Sequence, residues 1–487
     1  MYKPTIGLEI HAELKTNSKM FCSCKNDPDE IRPNFNICEV CTAQPGTLPV
    51  ANEEAVKKVI KTGLALHCKI ATESKFDRKN YFYPDIPKGY QISQYDQPLA
   101  SNGSLKLKIQ NSKFKNIGIT RIHLEEDTGS SIHPDGADYS LVNFNRAGVP
   151  LMELVTEPDI TSGKQASDFA KELQLIFKYL GVSDADMEKG LMRVEVNISV
   201  SKTKKLGTKV EIKNLNSFRV VARAIDFEIA RQTELLESGG VVVQETRGWN
   251  DKKEITFSQR EKESAHDYRY FPEPDLPSLH FSKDYIAGIE SEIPELPEQK
   301  RARFKKEYSL EESQVEVFVN QKELSEYFEK VVSELKAWLL TEKVKDSKAI
   351  YKLVSNYLIS DLQGLLGGKE FFEKDCKITP ENFGEFVKMI YKNEINSKTA
   401  KMVLPQMYGT GNDPSNIVES NNWGQMKDDG QLEKIIIDVI AKNSKAVADY
   451  KAGNTNVIQF LSGQVMGATR GTANPATVQE LLKKILN

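Results

Sequence analysis

Gly7-Leu8-Glu9-Ile10-His11-Ala12-Glu13-Leu14 is the stretch on which the reading of this chain turns. Apolar residues alternate strictly with Glu9, His11 and Glu13, so a strand here packs one face and presents two carboxylates and an imidazole on the other. A second segment, Ile119-Thr120-Arg121-Ile122-His123-Leu124-Glu125-Glu126-Asp127, has the same character: Arg121, His123, Glu125 and Asp127 share one parity, Ile122 and Leu124 the other. Clustered carboxylates repel, so the arrangement is costly unless a cation or a cationic substrate binds there. A solvated sheet face with incidental acids would show the same pattern. Between Glu125 and Glu126, strand parity favours Glu125, and a bulge would reverse the choice.

Two more segments extend the pattern. Met192 to Val200 places Arg193, Glu195 and Asn197 on its polar face, and Thr208 to Asn214 places Lys209, Glu211 and Lys213 on its own. Acids that hold Mg2+ and cations that neutralise a transferring phosphoryl group form such mixtures. Cross-strand ion pairing accounts for these last two strands equally well.

Four of the six cysteines form two close pairs, Cys22-Ser23-Cys24 and Cys38-Glu39-Val40-Cys41. Two Cys pairs separated by a short loop suit tetrahedral thiolate coordination of zinc in a closed, structural site, pinning the loop between the first strand and a helix starting near Asn52. A disulfide framework is the competing account, disfavoured by the length of the chain and by the absence of an apolar leader before the first strand. Cys68 and Cys376 are isolated and read as core residues.

At 487 residues the chain exceeds what one core accommodates. Lys and Arg number 66 against 69 Asp and Glu, a net charge of −3, so any RNA contact has to come from local basic patches. No apolar run is long enough to span a bilayer, and the expected location is the cytoplasm with no membrane partner. Strands and helices mix up to the Pro-rich segment Pro272-Glu273-Pro274-Asp275-Leu276-Pro277 and the prolines at Pro294 and Pro297; amphipathic helices follow. Asn52, with Glu53 and Glu54 behind it, reads as a helix cap, a helix is expected from Phe218 to Glu237 before Gly239-Gly240, and Thr379-Pro380 reads as another helix start. The polar loop Gly409 to Ser415 separates a last helical unit. The predicted organisation is α+β: a sheet domain over 1–294 with a zinc knuckle, a helical domain over 295–408 and a helical tail over 409–487. Gly364-Leu365-Leu366-Gly367-Gly368-Lys369 has the wrong spacing for a phosphate loop.

Seven segments, read together, resemble one family. Ile6 to His11, Ala43-Gln44-Pro45-Gly46, Arg78-Lys79-Asn80-Tyr81-Phe82-Tyr83-Pro84-Asp85, Arg121 to Asp127, Asn145 to Glu153, Val210 to Phe218 and His266 to Leu276, followed by Gly463-Gln464-Val465-Met466, are similar in kind and order to the B subunits of the tRNA-dependent amidotransferases. The resemblance covers nearly the whole chain. It departs at Gly467 and Thr472, where the family commonly has lysine and a Gly-Lys-Ala-Asn-Pro run, at Glu195 for a common aspartate, and at Gly248 and Asn250 around Trp249.

The resemblance implies a mixed or antiparallel-sheet catalytic domain followed by helical domains that contact tRNA, with Arg470, Lys483 and Lys484 as the basic residues near the altered segment of the tail. It implies ATP-dependent activation of the side-chain carboxylate of a misacylated Glu-tRNA(Gln) or Asp-tRNA(Asn), and amidation of the acyl phosphate by ammonia. The catalytic set it implies is Glu9, His11, Glu125, Glu126, Glu153, Glu211 and Lys213, with Mg2+ held by Glu9, His11 and Glu125, ATP as cofactor and zinc at the four cysteines. Ammonia would come from an amidase (A) subunit, with a small (C) partner completing a heterotrimer, since no nucleophile constellation for glutamine hydrolysis is readable here. A zinc-stabilised scaffold that only presents tRNA, and a hydrolase acting alone, remain as alternatives.

Overall fold

A computed structural model describes residues 2–109, 113–261, 268–342, 347–424, 429–469 and 473–486. The chain is α+β and divides into two compact units, Met1–Pro297 and Glu298–Asn487.

In chain order the first unit contains β1 (Lys3–Glu13), α1 (Glu53–Ala65), β2 (Lys69–Ile70), β3 (Glu73–Ser74), β4 (Asp77–Asn80), β5 (Tyr90–Ser93), β6 (Ala100–Lys108) and β7 (Phe114–Glu126). There follow β8 (Ser130–Ile132), β9 (Leu141–Asn143), β10 (Pro150–Thr156), α2 (Gly163–Leu180), β11 (Met192–Ser201), β12 (Val210–Leu215) and α3 (Phe218–Glu237). The unit closes with β13 (Glu245–Asn250), β14 (Ile255–Glu261), β15 (Phe271–Pro272), β16 (Leu279–His280) and α4 (Lys283–Ser291). Nine strands form one sheet in the order β14-β13-β12-β11-β1-β10-β7-β6-β2. Every neighbouring pair is antiparallel except β12 and β13.

The alternation in β1 sets the two faces of this sheet. Ile6, Leu8, Ile10 and Ala12 are buried, as are Val194, Val196 and Ile198 of β11. They share one core with Val59 and Ile60 of α1, Phe169, Leu173 and Phe177 of α2, and Val221 and Ile225 of α3. Each such aliphatic or aromatic side chain contributes on the order of 1.5–3 kcal/mol by leaving water. The helices begin where short polar side chains satisfy their free amides: Asn52 accepts from Glu54 N and Ala55 N, and Ser162 and Ser217 cap α2 and α3. Gly181, in the left-handed region at φ 66°, ends α2. Gly163 lets α2 and α3 approach closely, because a Cβ there would meet the Ala222 carbonyl oxygen at 2.3 Å.

A small sheet in the order β15-β4-β5 brings residues near 272 beside residues near 78, and β5 packs over β7.

The second unit is helical. Leu324, Phe328, Val331, Val332 and Leu335 form the buried stripe of Lys322–Thr341. The stripe Ile350, Val354, Leu358, Leu362 is also buried, and it crosses from the α-helix Ser347–Asn356 into a π-helical turn, Tyr357–Leu362. Thr379 caps Pro380–Tyr391 with proline in the first helical turn. The short helix Pro414–Ser420 packs on Pro380–Tyr391 and Ser397–Thr410. A separate core of Leu432, Ile436, Leu461, Val465, Val478 and Leu482 holds the last four helices together. Among the described residues no helix is long and apolar enough to cross a membrane.

Candidate active site

Five adjacent strands, β12, β11, β1, β10 and β7, carry the polar face of the large sheet. The antiparallel register sets His11 opposite Glu153, Glu153 opposite His123, and Glu9 opposite Glu195. Glu153 lies between two imidazoles, its Oε2 3.4 Å from His11 Nε2 and 3.4 Å from His123 Nε2. His11 Nε2 is 3.9 Å from Glu9 Oε1, and His123 Nε2 is 3.4 Å from Glu125 Oε1. Cations are interleaved: Arg121 is 3.8 Å from Glu153, Lys79 is 3.8 Å from Glu125, and Lys213 is 2.7 Å from Glu195 and 3.9 Å from Glu211. Neutral donors fix the carboxylates further, with Ser93 Oγ donating to Glu125 at 2.6 Å, Gln91 Nε2 at 3.0 Å, and Thr246 Oγ1 to Glu211 at 2.9 Å.

The charge states follow from this crowding. Burial alone would lower the His11 imidazole, but the hydrogen bond and charge of Glu153, with Glu195 and Glu9, raise it to about 9. His123 is likewise raised to about 9 against the effect of burial, by Glu153 and then Glu125. Glu153 is held well below the usual carboxylate range, since the two imidazoles outweigh the burial that would raise it. Glu9 has the opposite balance: burial, then Glu153 and Glu195, push it up to about 7. Beyond His11, burial and Asp127 raise Glu13 to about 8, while Asp127 itself is held low by Arg193, 2.8 Å away, and Arg146.

Three overlapping groups place ligand atoms within 4.8 Å of one another: Glu9, His11 and Glu153; His123, Glu125 and Glu153; and Glu9, Glu195 and Glu211. Among the described residues, Glu9, His11 and Glu125 do not make one such group; Glu153 joins the Glu9–His11 side to the Glu125 side. Carboxylate oxygens gathered in this way fit a hard divalent cation, which takes oxygen donors and retains waters.

The sequence-derived candidates are thus distributed unevenly. Glu9, His11, Glu125, Glu153, Glu211 and Lys213 all belong to this face. Glu126 has other partners, the Lys88 ammonium and the Ile92 amide at 2.9 Å, and lines a cavity of about 210 Å³ with Cys22 and Cys41. Lys483 and Lys484 are exposed on Pro475–Leu486 in the second unit, and Arg470 lies outside the described residues. Lys79 joins the face although no site reading of the sequence included it: β4 is only four residues long, too short for its alternation to show, and only its membership of the Arg78–Asp85 segment marked it.

On the loop between β1 and α1, Cys22, Cys24, Cys38 and Cys41 bring their sulfurs within 4.8 Å of one another and form no disulfide. The Cys38 amide donates to Cys41 Sγ at 3.2 Å, and the buried Lys19 ammonium lies 3.6 Å from the same sulfur. Hydrogen bonding from Cys22 lowers the Cys41 thiol to about 5, whereas burial pushes Cys24 up to about 12. Four convergent sulfurs with a thiolate among them make a cluster that could bind a metal, and a soft tetrahedral ion such as zinc suits the donor set.

The sequence of the unit that carries this acid face belongs to a known class of catalytic domain. Residues 4–287 match the family model described as the GatB/GatE catalytic domain, and residues 339–486 match the GatB domain. The chain belongs to the aspartyl/glutamyl-tRNA(Asn/Gln) amidotransferase B-subunit family. It is 47% identical over 487 residues to the B subunit from Persephonella marina, covering 100% of this chain and 99% of the relative. It is 44% identical over 490 residues to that of Brevibacillus brevis and 44% over 491 residues to that of Thermotoga maritima, each time across 100% of this chain and 99% of the relative.

Proposed function

We propose that the chain carries out the transamidation of misacylated tRNA as the B subunit of a glutamine-hydrolysing amidotransferase. The side-chain carboxylate of glutamate or aspartate esterified to tRNA(Gln) or tRNA(Asn) takes the γ-phosphoryl group of ATP, and ammonia then displaces phosphate from the acyl phosphate. Activation is required because a carboxylate at neutral pH is a poor electrophile. The observation that carries the proposal is the continuous row from Glu211 through Glu9, His11, Glu153 and His123 to Glu125, with Lys213, Arg121 and Lys79 set among the acids. The full-length identity to relatives that bear this name supports it.

Mg2+ would be held by Glu9 and His11 on one side or by Glu125 on the other, in each case with Glu153, which joins the two sides, rather than by Glu9, His11 and Glu125 around one ion. An ion held there would supply positive charge to offset that on the phosphate oxygens. Lys213, Arg121 and Lys79 offset charge on the transferred group from fixed positions, so little reorganisation accompanies the reaction. Glu211 orients Lys213, and Glu126 holds Lys88 beside the neighbouring cavity. Zinc at the four cysteines is structural. Ammonia arrives from an amidase (A) subunit, with a small (C) partner in the same heterotrimer, and the acyl phosphate needs shelter from water between the two chemistries. The helical parts, 295–408 and 409–487, bind tRNA, with Arg470, Lys483 and Lys484 on phosphates, and the complex works in the cytoplasm.

The test is ATP hydrolysis by the assembled complex with misacylated tRNA, correctly acylated tRNA and no tRNA. Hydrolysis that requires the misacylated form, with one amide formed per phosphate released, is expected; hydrolysis indifferent to the acyl group would refute the assignment.

A further inference from the structure

A wall of aromatic rings borders the acid face, and the reaction proposed above does not use it. Five tyrosines touch in succession: Tyr83 and Tyr81 with centroids 6.0 Å apart, Tyr81 and Tyr268 at 5.9 Å, Tyr268 and Tyr270 at 6.1 Å, and Tyr270 stacked on Tyr95 at 4.5 Å and 17°. Cations lie over the rings. Lys79 Nζ is 5.8 Å from the Tyr81 centroid and 5.4 Å from that of Tyr268, Arg121 is 5.5 Å from Tyr95, and Arg269 is 5.8 Å from Phe82. Water reaches much of this surface, with Phe82 75% exposed, Tyr83 53% and Tyr95 47%.

The wall is continuous with the acid face. Lys79 lies over two of its rings and is also 3.8 Å from Glu125, and Arg121 lies over Tyr95 and is 3.8 Å from Glu153. The Tyr270 hydroxyl is pushed upward by burial and, against the opposing charge of Lys79, by Glu125 and Glu153. It is also rigidly built. Asn80 Nδ2 donates to the Arg269 carbonyl at 2.9 Å, Tyr81 Oη to Gln91 Oε1 at 3.0 Å, and Arg78 clamps Glu273 through two bonds of 2.7 and 2.9 Å. Exposed rings held in place and paired with Lys and Arg are what stacks unpaired nucleobases beside a polyanionic backbone.

We propose that this wall is the stacking platform for the single-stranded 3′ end of the tRNA, holding the terminal adenine and its neighbour while the esterified side chain reaches the acid face. The inference rests on the function proposed above and adds the subsite that receives the acceptor end. The terminal ribose carries the acyl group, so its base has to lie within one nucleotide of the acids, where these rings are. The extent of the wall favours a strand over ATP, because one adenine needs one or two rings and this surface offers exposed rings at Phe82, Tyr83 and Tyr95.

The experiment uses the full chain in its purified complex and three probes: tRNA with 2-aminopurine as its terminal base, the same tRNA lacking the terminal nucleotide, and ATP. Tyr95→Ala and Phe82→Ala remove exposed rings, and Tyr95→Phe keeps one. Wild type and Tyr95→Phe should quench 2-aminopurine emission on binding. Tyr95→Ala should lose most of the quench and about tenfold in tRNA affinity. Removing the terminal nucleotide should weaken wild type and leave Tyr95→Ala no weaker than it already is, with ATP affinity equal in all. Unchanged quench and affinity in both alanine variants would overturn the proposal, as would a loss of ATP affinity with tRNA affinity intact, which assigns the rings to the nucleotide. A wild-type complex that binds no tRNA would refute the proposed function itself.

Discussion

Glu153→Gln keeps the shape of the side chain at the centre of the acid face and removes the charge between His11 and His123. Burial alone would lower both imidazoles, yet both are raised from 6.5 to about 9, chiefly by Glu153. An imidazole at about 9 in the folded chain and 6.5 in the unfolded one contributes about 3 kcal/mol. The folded state holds the extra proton, so this contribution is complete below pH 6.5 and is lost as pH rises through 9. The two imidazoles share one carboxylate and their contributions do not add. For a unit of this size about 3 kcal/mol corresponds to about 5 °C in Tm. In magnesium-free buffer the unfolding transition of the sheet unit should therefore fall by about 5 °C more in wild type than in Glu153→Gln between pH 6.5 and 9.5. Glu9 and Glu13, raised to about 7 and about 8, add a slope of the same sign between pH 4.5 and 8. The difference between the two curves above pH 8 is thus the informative quantity. Equal slopes for the two proteins would refute the assignment of Glu153 as the group that holds both imidazoles protonated.

Purified protein should carry about one zinc per chain by metal analysis, and Cys38→Ser with Cys41→Ser should lower thermal stability while the folded fraction retains turnover. His11→Ala and Glu125→Ala should each abolish tRNA-dependent ATP cleavage and amide formation with tRNA affinity nearly intact; loss of tRNA binding as severe as loss of turnover, with the fold intact, would remove the metal-site assignment. Lys483→Ala with Lys484→Ala should flatten the dependence of log affinity on log salt by about 1.4–1.8 if both touch phosphate, and an unchanged slope would place the tRNA elsewhere.

Much of the sheet domain was legible because half-buried strands write their two faces into alternate residues. Parity put Glu9 and His11 on the polar face of one strand and Glu125 and His123 on the polar face of another, and the family resemblance brought the two together. Parity does not give register, however. That Glu153 falls between His11 and His123 depends on how β10 pairs with its two neighbours, which β10 itself conceals, since Leu151, Met152 and Leu154 around Glu153 are all buried. Caps at Asn52 and Thr379 were readable because a short polar side chain satisfies free amides of the first turn, those of Glu54 and Ala55 for Asn52 and that of Asn382 for Thr379. The π-helical turn at Tyr357–Leu362 was not read, although Ile350, Val354, Leu358 and Leu362 recur every four residues. On an α-helix that spacing drifts about 40° per step, and a wider turn keeps the later residues facing the core.

The clamp of Arg78 on Glu273 joins residues 195 positions apart. Closing so long a loop costs an ordering entropy of about 5 kcal/mol, to which the intervening sheet contributes by folding first. The order of assembly follows: β4, with Lys79, and the tyrosines Tyr81 and Tyr83 just after it are among the early parts of the chain to be synthesised, yet they acquire their partners at 268–275 only when the first unit is almost complete. During synthesis the large sheet can form and present its carboxylates before the rings that border them are in place. A chain released from the ribosome as far as β12 but not yet extended to residue 268 would therefore hold the strands of the acid face without Tyr268 and Tyr270, which join Tyr81 to Tyr95 in the border.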